Sequence, residues 1–107
     1  MNDCIFCKIV NKELSSEIFY EDEKFIVFDD ISPKAPVHKL IVPKIHIESV
    51  DKLDDGNISM MSDITKIAKK IAKETNVTGY TLSTNVGKDA GQIVFHLHVH
   101  FLGYKNG

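Results

Sequence analysis

Between Phe95 and Gly103 the sequence reads FHLHVHFLG, with an imidazole at every second position. Side chains of an extended strand alternate between its two faces. His96, His98 and His100 are therefore expected to share one face, and Leu97, Val99 and Phe101 to pack on the other, against a covering helix. Same-face neighbours stand about 6.5–7 Å apart along a strand, so a phosphate group could touch two adjacent imidazoles but not easily all three. The row could be a set of surface side chains, but three of the chain's five histidines in strict alternation argue for chemistry. Two chemistries fit. Alternate histidines on a strand can both ligate zinc, or an imidazole can attack a phosphorus centre while a neighbour stabilises charge. Just upstream, NVGKDAGQI places Asn85, Gly87, Gly91 and Gln92. Glycines let backbone N–H groups approach an anion, and a turn can present several together. No Gly-Lys-Ser/Thr follows, so this is not a Walker A loop. A glycine turn entering a histidine strand favours a phosphate site.

The covering helix is legible in DDGNISMMSDITKIAKKIAKETN. Ile58, Met61, Ile64, Ile67, Ala68, Ile71 and Ala72 recur at three- and four-residue steps. Asn57 is the expected N-cap, and Gly79 lies past the far end. Lysines 66, 69, 70 and 73 fall between the apolar positions and read as a solvated face, not a nucleic-acid patch. Strands are expected at Ile18–Glu21 and Lys24–Phe28, joined by the turn EDEK, then over HKLIVPK, where Pro43 ends the strand or marks a sheet edge. YTLSTN and QIVFHLHVHFL complete five. SPKAPVH and VGKDAG read as loops, and CIFCKIVNKEL as a short helix ending near Glu13. The fold class is α+β: a mainly antiparallel five-stranded sheet with one long helix and a short N-terminal helix. No linker or repeat interrupts it, so one domain is expected over 1–107.

A net charge of −2 gives no bulk pull toward nucleic acid or anionic membrane. There is no apolar run long enough for a membrane span, and MNDCIFCKIV does not read as a signal peptide; a cytoplasmic protein is expected. The only cysteines, Cys4 and Cys7, form a C-x-x-C pair. It could be half of a metal site, a redox pair or two plain thiols. The redox motif usually follows a strand, and only three residues precede this one, while the metal reading needs two further ligands.

With these features in view, the chain resembles the histidine triad (HIT) hydrolases and transferases almost from end to end. CIFCKIVNKE, YEDEKFIVFDDISPKAPVHKLIVPKIHI and STNVGKDAGQIVFHLHVHFLG look like the family's blocks in the family's order. DISPKAPVH is more similar to the Hint branch, the purine nucleoside phosphoramidases, than to the Fhit dinucleoside polyphosphate hydrolases. The resemblance implies that His98 is the nucleophile, attacking the α-phosphorus of an AMP- or GMP-type derivative to form a nucleotidyl-imidazole that water then releases. His100 would bond the phosphate or bridging atom, and His38 would support the nucleophile or a proton relay. Asn85, Gly91, Gln92 and the backbone of Ile93 would contact the phosphate or leaving group, and Asp30 would bind the ribose hydroxyls. Ile5, Phe6, Ile9, Phe28 and Ile31 would form the slot for the base. The resemblance also gives the cysteines their partners: Cys4, Cys7, His46 and His96 would hold a structural zinc ion. A homodimer is expected from the family.

Three departures stand out. Ile93 occupies a position where many relatives carry Ser or Thr, so a hydroxyl donor is missing. Asp29 replaces a histidine found before the aspartate in some Hint relatives. The Trp-Pro-rich tail of some Hint relatives is absent after FLGYKNG. Beside the phosphoramidase reading stand dinucleoside polyphosphate hydrolysis and a zinc-stabilised nucleotide-binding regulatory module with little turnover.

Overall fold

Two apolar segments with opposite turns at their ends build the centre of the sheet. FIVFD forms β2 (Phe25–Asp29) and VHKLIVP forms β3 (Val37–Pro43). Their register pairs Phe28 with Leu40 and Val27 with Ile41. The computed structural model describes residues 4–106 of the expected 1–107 domain, and residues 1–3 of the segment read for a signal peptide lie outside it. With β1 (Ile18–Glu21), β4 (Gly79–Ser83) and β5 (Val99–Tyr104), the strands form one antiparallel sheet in the order β1-β2-β3-β5-β4. The fold class is the one expected.

Because cross-strand partners share a face, the register divides the core in two. On one face Phe25, Val27, Ile41, Val99 and Phe101 meet Ile64, Ile67, Ala68 and Ile71 of α2 (Met60–Thr75). On the other, Ile26, Phe28, Leu40 and Val42 meet Phe6 and Ile9 of α1 (Ile5–Val10). Val99 and Phe101 therefore pack against the long helix as the alternation requires. Leu97 is buried but precedes the ladder, its N–H on the Ile47 carbonyl at 2.6 Å.

Several boundaries move. The second strand starts at Phe25, not Lys24, because Asp22 caps the turn: its carboxylate accepts the N–H groups of Lys24 at 2.8 Å and Phe25 at 2.7 Å, and the Tyr20 hydroxyl at 2.7 Å. Val37, read as loop, opens β3 one residue before the expected strand HKLIVPK. The long helix starts at Met60 with Ser59 at its N-cap position, and Ile58 is exposed. Asn57 is not the cap; its side-chain oxygen accepts the Asp54 N–H at 2.7 Å and closes the preceding turn. The helix ends on Asn76 at φ 59°, and Gly79 opens β4.

The last strand shows the largest change. A ladder was expected from Gln92, but it begins at Val99. Extending the β3–β5 register beyond Ile41↔Val99 would set Pro43 opposite Leu97. Proline has no N–H to donate, and its carbonyl is taken by the His96 ring at 2.8 Å. The ladder stops there, and of the three alternating histidines only His100 lies in β5.

Gly103 sits where strands and helix exit crowd together. A Cβ there would stand 2.7 Å from Val77 Cγ1, 3.0 Å from the Phe101 ring and 3.2 Å from Val37 Cβ. Gly103→Ala is expected to cost about 1–3 kcal/mol, read from urea unfolding. Burial alone would raise the pKa of Asp22, but the Tyr20 hydroxyl and the Lys24 and Phe25 amides outweigh it and hold the carboxyl below its ordinary 3.8. A depressed carboxyl pKa gives stability that is present above the unfolded value and lost as pH falls through the folded one. Asp22→Ala should therefore be about 1–2 kcal/mol less stable near neutral pH, and the gap to the parent should narrow below pH ~4.

Candidate active site

The α1 face is covered by a helix of only six residues, which leaves the sheet open beside it. The opening is a cleft of about 860 Å³. Cross-strand pairing sets its floor: His38 faces Leu102, Leu40 faces His100, and Ser83 of β4 faces His100. His38, His98, His100, Asp30, Asn85, Gly91 and Ile93 all line the cleft, with Ile5, Phe6, Ile9, Phe28 and Ile31. Phe6, Ile9 and Phe28 belong to the buried cluster, whereas Ile31 and Ile93 are 96% and 87% exposed at the lips.

The hydrogen bonds assign the protons. The ring of His98 is buried and its Nδ1–H donates to the His96 carbonyl at 2.7 Å, which leaves the Nε2 lone pair unprotonated. The Lys34 N–H donates to His38 Nδ1 at 3.0 Å, so His38 carries its proton on Nε2 and donates to His100 Nδ1 at 2.9 Å. That leaves a proton on His100 Nε2. The His98 and His100 ring centroids are 5.1 Å apart, and Asp30 Oδ2 stands 3.5 Å from His38 Nε2 and 4.0 Å from His100 Nδ1. Burial lowers the pKa of His98, against the opposing effects of the His96 carbonyl and the Asp30 charge. Burial also lowers His100, reinforced by His98 and His38. Both shifts favour neutral rings near pH 7.

The glycine turn is organised differently from the expectation. Gly87 and Gly91 adopt φ of 88° and 89°, which only glycine enters at little cost. The amides of Ala90, Gly91 and Gln92 close the turn on the Gly87 and Lys88 carbonyls, and Asn85 Nδ2 donates to the Ala90 carbonyl at 2.7 Å. The Ile93 amide takes no part in these bonds. Gln92 is buried and does not line the cleft. Its amide oxygen accepts the Gly87 N–H at 2.8 Å, and its nitrogen donates to the Glu48 and Val94 carbonyls at 2.8 and 3.1 Å.

Behind the cleft, Cys4, Cys7, His46 and His96 converge, with all four ligand atoms within 4.8 Å of one another, close enough to hold a metal ion. His96 Nδ1 lies 3.3 Å from Cys4 Sγ and 3.6 Å from Cys7 Sγ, and His46 Nδ1 lies 3.2 Å from Cys7 Sγ. Because His96 donates its Nε2–H to the Pro43 carbonyl, its Nδ1 is the unprotonated nitrogen facing the thiols. Burial lowers the His96 pKa; burial, then Cys4, raises that of Cys7. A second group of ligand type, Asp30, His38 and His100, also converges. A metal there would meet the protonated Nε2 of His38, so this group is a hydrogen-bonded chain and not a cation site.

Sequence reading missed Lys34, Ser32, Leu14, Ser15, Ser16 and Val94 in the cleft wall, and Thr84, whose hydroxyl donates to the His98 carbonyl at 2.8 Å. Leu40 and Leu102 carried a signal: each lies two residues beyond a cleft histidine on the same strand.

Among known proteins, the chain matches over residues 3–106 a family model described as scavenger mRNA decapping enzyme C-term binding. It is 39% identical over 104 residues to Protein HitA of Neisseria gonorrhoeae, covering 96% of this chain and 97% of that protein. A HIT family hydrolase from Clostridium thermocellum superposes with a TM-score of 0.93 at 50% identity, covering 96% of this chain and 91% of that one. A histidine triad protein from Clostridium difficile gives a TM-score of 0.94 at 43% identity, covering 100% and 95%.

Gln92→Ala would leave the Gly87 amide without its acceptor. It is expected to cost about 1–3 kcal/mol and to speed hydrogen exchange at Gly87, measured by NMR on the full chain.

Proposed function

The chain belongs to the histidine triad family, and from that footing we propose that it is a nucleotide phosphoramidase working through a nucleotidyl-imidazole on His98. Its substrates would be purine nucleoside 5′-monophosphates, AMP or GMP, joined at phosphorus to an amine. The observation that carries this reading is the tautomer of His98: the proton is held on Nδ1 by the His96 carbonyl, so the other nitrogen is a neutral nucleophile in a cleft lined by the remaining groups. Attack forms the Nε2–P bond as the P–N bond to the amine breaks, the amine leaving with one added proton. Water then displaces the imidazole, so phosphoramidate plus water gives nucleotide plus amine. His100, its Nε2–H directed by the His38 chain, donates to the phosphate or bridging atom. The Ile93 amide and Asn85 supply further donors, Gly91 gives the backbone room, and Gln92 acts on the turn from behind. Asp30 receives the ribose hydroxyls, and the base lies among Ile5, Phe6, Ile9, Phe28 and Ile31.

The metal centre reads as structural zinc. A sulfur and an imidazole nitrogen on one tetrahedral zinc stand about 3.5 Å apart, from Zn–S near 2.3 Å and Zn–N near 2.05 Å. The three S···N separations of 3.2, 3.3 and 3.6 Å fit that edge, and two thiols with two imidazole nitrogens, that of His96 unprotonated, suit the ion. When bound, zinc would cross-link α1 to the segment before β5. A homodimer is supported by β4: this sheet-edge strand has all five residues exposed, Tyr80 and Leu82 among them. None of the described helices is long and apolar enough to cross a membrane, and we place the protein in the cytoplasm.

One observation favours dinucleoside polyphosphates as a second reading. Lys34 lines the cleft, and its charge is felt at His100, which suits an anionic leaving group. Comparing kcat/KM for an adenosine phosphoramidate and a dinucleoside polyphosphate decides between them. Rapid quenching with the phosphoramidate should leave a nucleotide adduct on the His98 peptide. His98→Ala should show no adduct and lose roughly 10⁴-fold or more in kcat. Equal AMP release by parent and variant would remove His98 from the chemistry.

A further inference from the structure

The carbonyl that fixes the nucleophile's proton lies in a stretch the sheet does not hold. From Gln92 to His98 the chain runs outside the ladder, which begins at Val99. Side chains share in the holding instead. The fully buried ring of His96 is tied at both nitrogens: Nε2–H to the Pro43 carbonyl at 2.8 Å, and Nδ1 among the sulfurs of Cys4 and Cys7 at 3.3 and 3.6 Å. Phe6, between the two cysteines in the chain, stands edge-on to both rings, 5.9 Å from His96 and 5.0 Å from His98.

We infer that the cluster of Cys4, Cys7, His46 and His96 is a positioning device for the nucleophile: by gripping the ring of residue 96 it holds the carbonyl that keeps the His98 proton on Nδ1. That His98 is the nucleophile rests on the function proposed above; the grip does not. A carbonyl within a sheet is fixed by ladder bonds on neighbouring residues. Here the peptide that carries the His96 carbonyl is held at two points: the Leu97 amide in the same plane bonds the Ile47 carbonyl at 2.6 Å, and the ring of His96 is tied at both nitrogens; the Thr84 hydroxyl on the His98 carbonyl at 2.8 Å anchors the chain beyond. Loosening that ring leaves the 96–97 peptide on the Leu97 tether alone, about which it can pivot, and the carbonyl moves off the line to Nδ1. Nothing then separates the two neutral tautomers of His98, and the Nε2–H form offers no lone pair to phosphorus. Metal bound among these four residues would stiffen the grip, because outer residues that orient a reacting group act through such geometry.

The test uses the full chain loaded with zinc, the same protein stripped by a chelator and then reloaded, and Cys4→Ser. Long-range ¹H–¹⁵N NMR of the imidazoles reads the His98 tautomer directly. Loaded protein should show the Nδ1–H form alone. Stripped protein and Cys4→Ser should show a mixture, and reloading the stripped protein should restore the single form. On a nucleoside phosphoramidate, kcat should fall about tenfold; the His98 tautomer is the deciding readout, because α1, which Cys4 caps, also carries Ile5, Phe6 and Ile9 of the cleft. His46→Ala, which removes the exposed ligand of the cluster, gives the same reading if Cys4→Ser does not fold. A folded, metal-free protein with an unchanged His98 tautomer and unchanged kcat would overturn the inference. A loaded protein that turns over no phosphoramidate would instead sink the proposed function, and the tautomer measurement would still decide the grip.

Discussion

Pro43 lacks an N–H, and the rest of the site follows from where that donor is missing. The β3–β5 ladder ends at Ile41↔Val99, and the chain before β5 is free to take another course. One alternating motif is thereby divided into three environments. His96 turns its ring to the Pro43 carbonyl and the cysteines, His98 bonds back to the carbonyl of residue 96, and His100 stays in the ladder opposite Leu40 and Ser83. Had the ladder continued to Gln92, three equivalent imidazoles would line one sheet face at strand spacing. The break lets the His98 and His100 rings approach to 5.1 Å.

The two faces of the sheet are covered unequally, and the inequality makes the cleft. The sixteen residues of α2 seal their face with Ile64, Ile67, Ala68 and Ile71. The six residues of α1 cover only part of the other with Phe6 and Ile9. So short a helix is marginal alone; its N-cap Cys4 accepts the Cys7 amide at 3.4 Å, and both sulfurs meet the histidine cluster. The residues that hold the helix are thus the residues that hold the ring of His96.

Strand alternation and helix periodicity reported the architecture because both are local patterns: the five strands, the long helix and the packing of Val99 and Phe101 against it follow from spacing alone. The boundaries that moved were set by partners distant in sequence or by turn chemistry. Val37 joins β3 because Gly103 stands across from it. Asn57 closes a turn that competes with its use as a cap, and Asn76 takes the left-handed position at the helix end where a glycine is more usual. In the site, the four ligand-type residues and the cleft histidines could be named from the family's motifs. The role of Gln92 could not, because its three partners, Gly87, Glu48 and Val94, come from a turn and a loop whose approach no spacing encodes. Lys34 was equally silent: its contribution starts from a main-chain N–H.

That main-chain group gives the imidazole chain a direction. An amide hydrogen does not ionise in the working pH range, so the bond from Lys34 to His38 can orient a proton but never accept one back or pass one on. The path from Lys34 through His38 to His100 is a wire with a sealed end. Whatever hydrogen His100 lends to a departing group must be returned from the cleft itself, by water or product, so the state of the acid is reset only when the cleft refills.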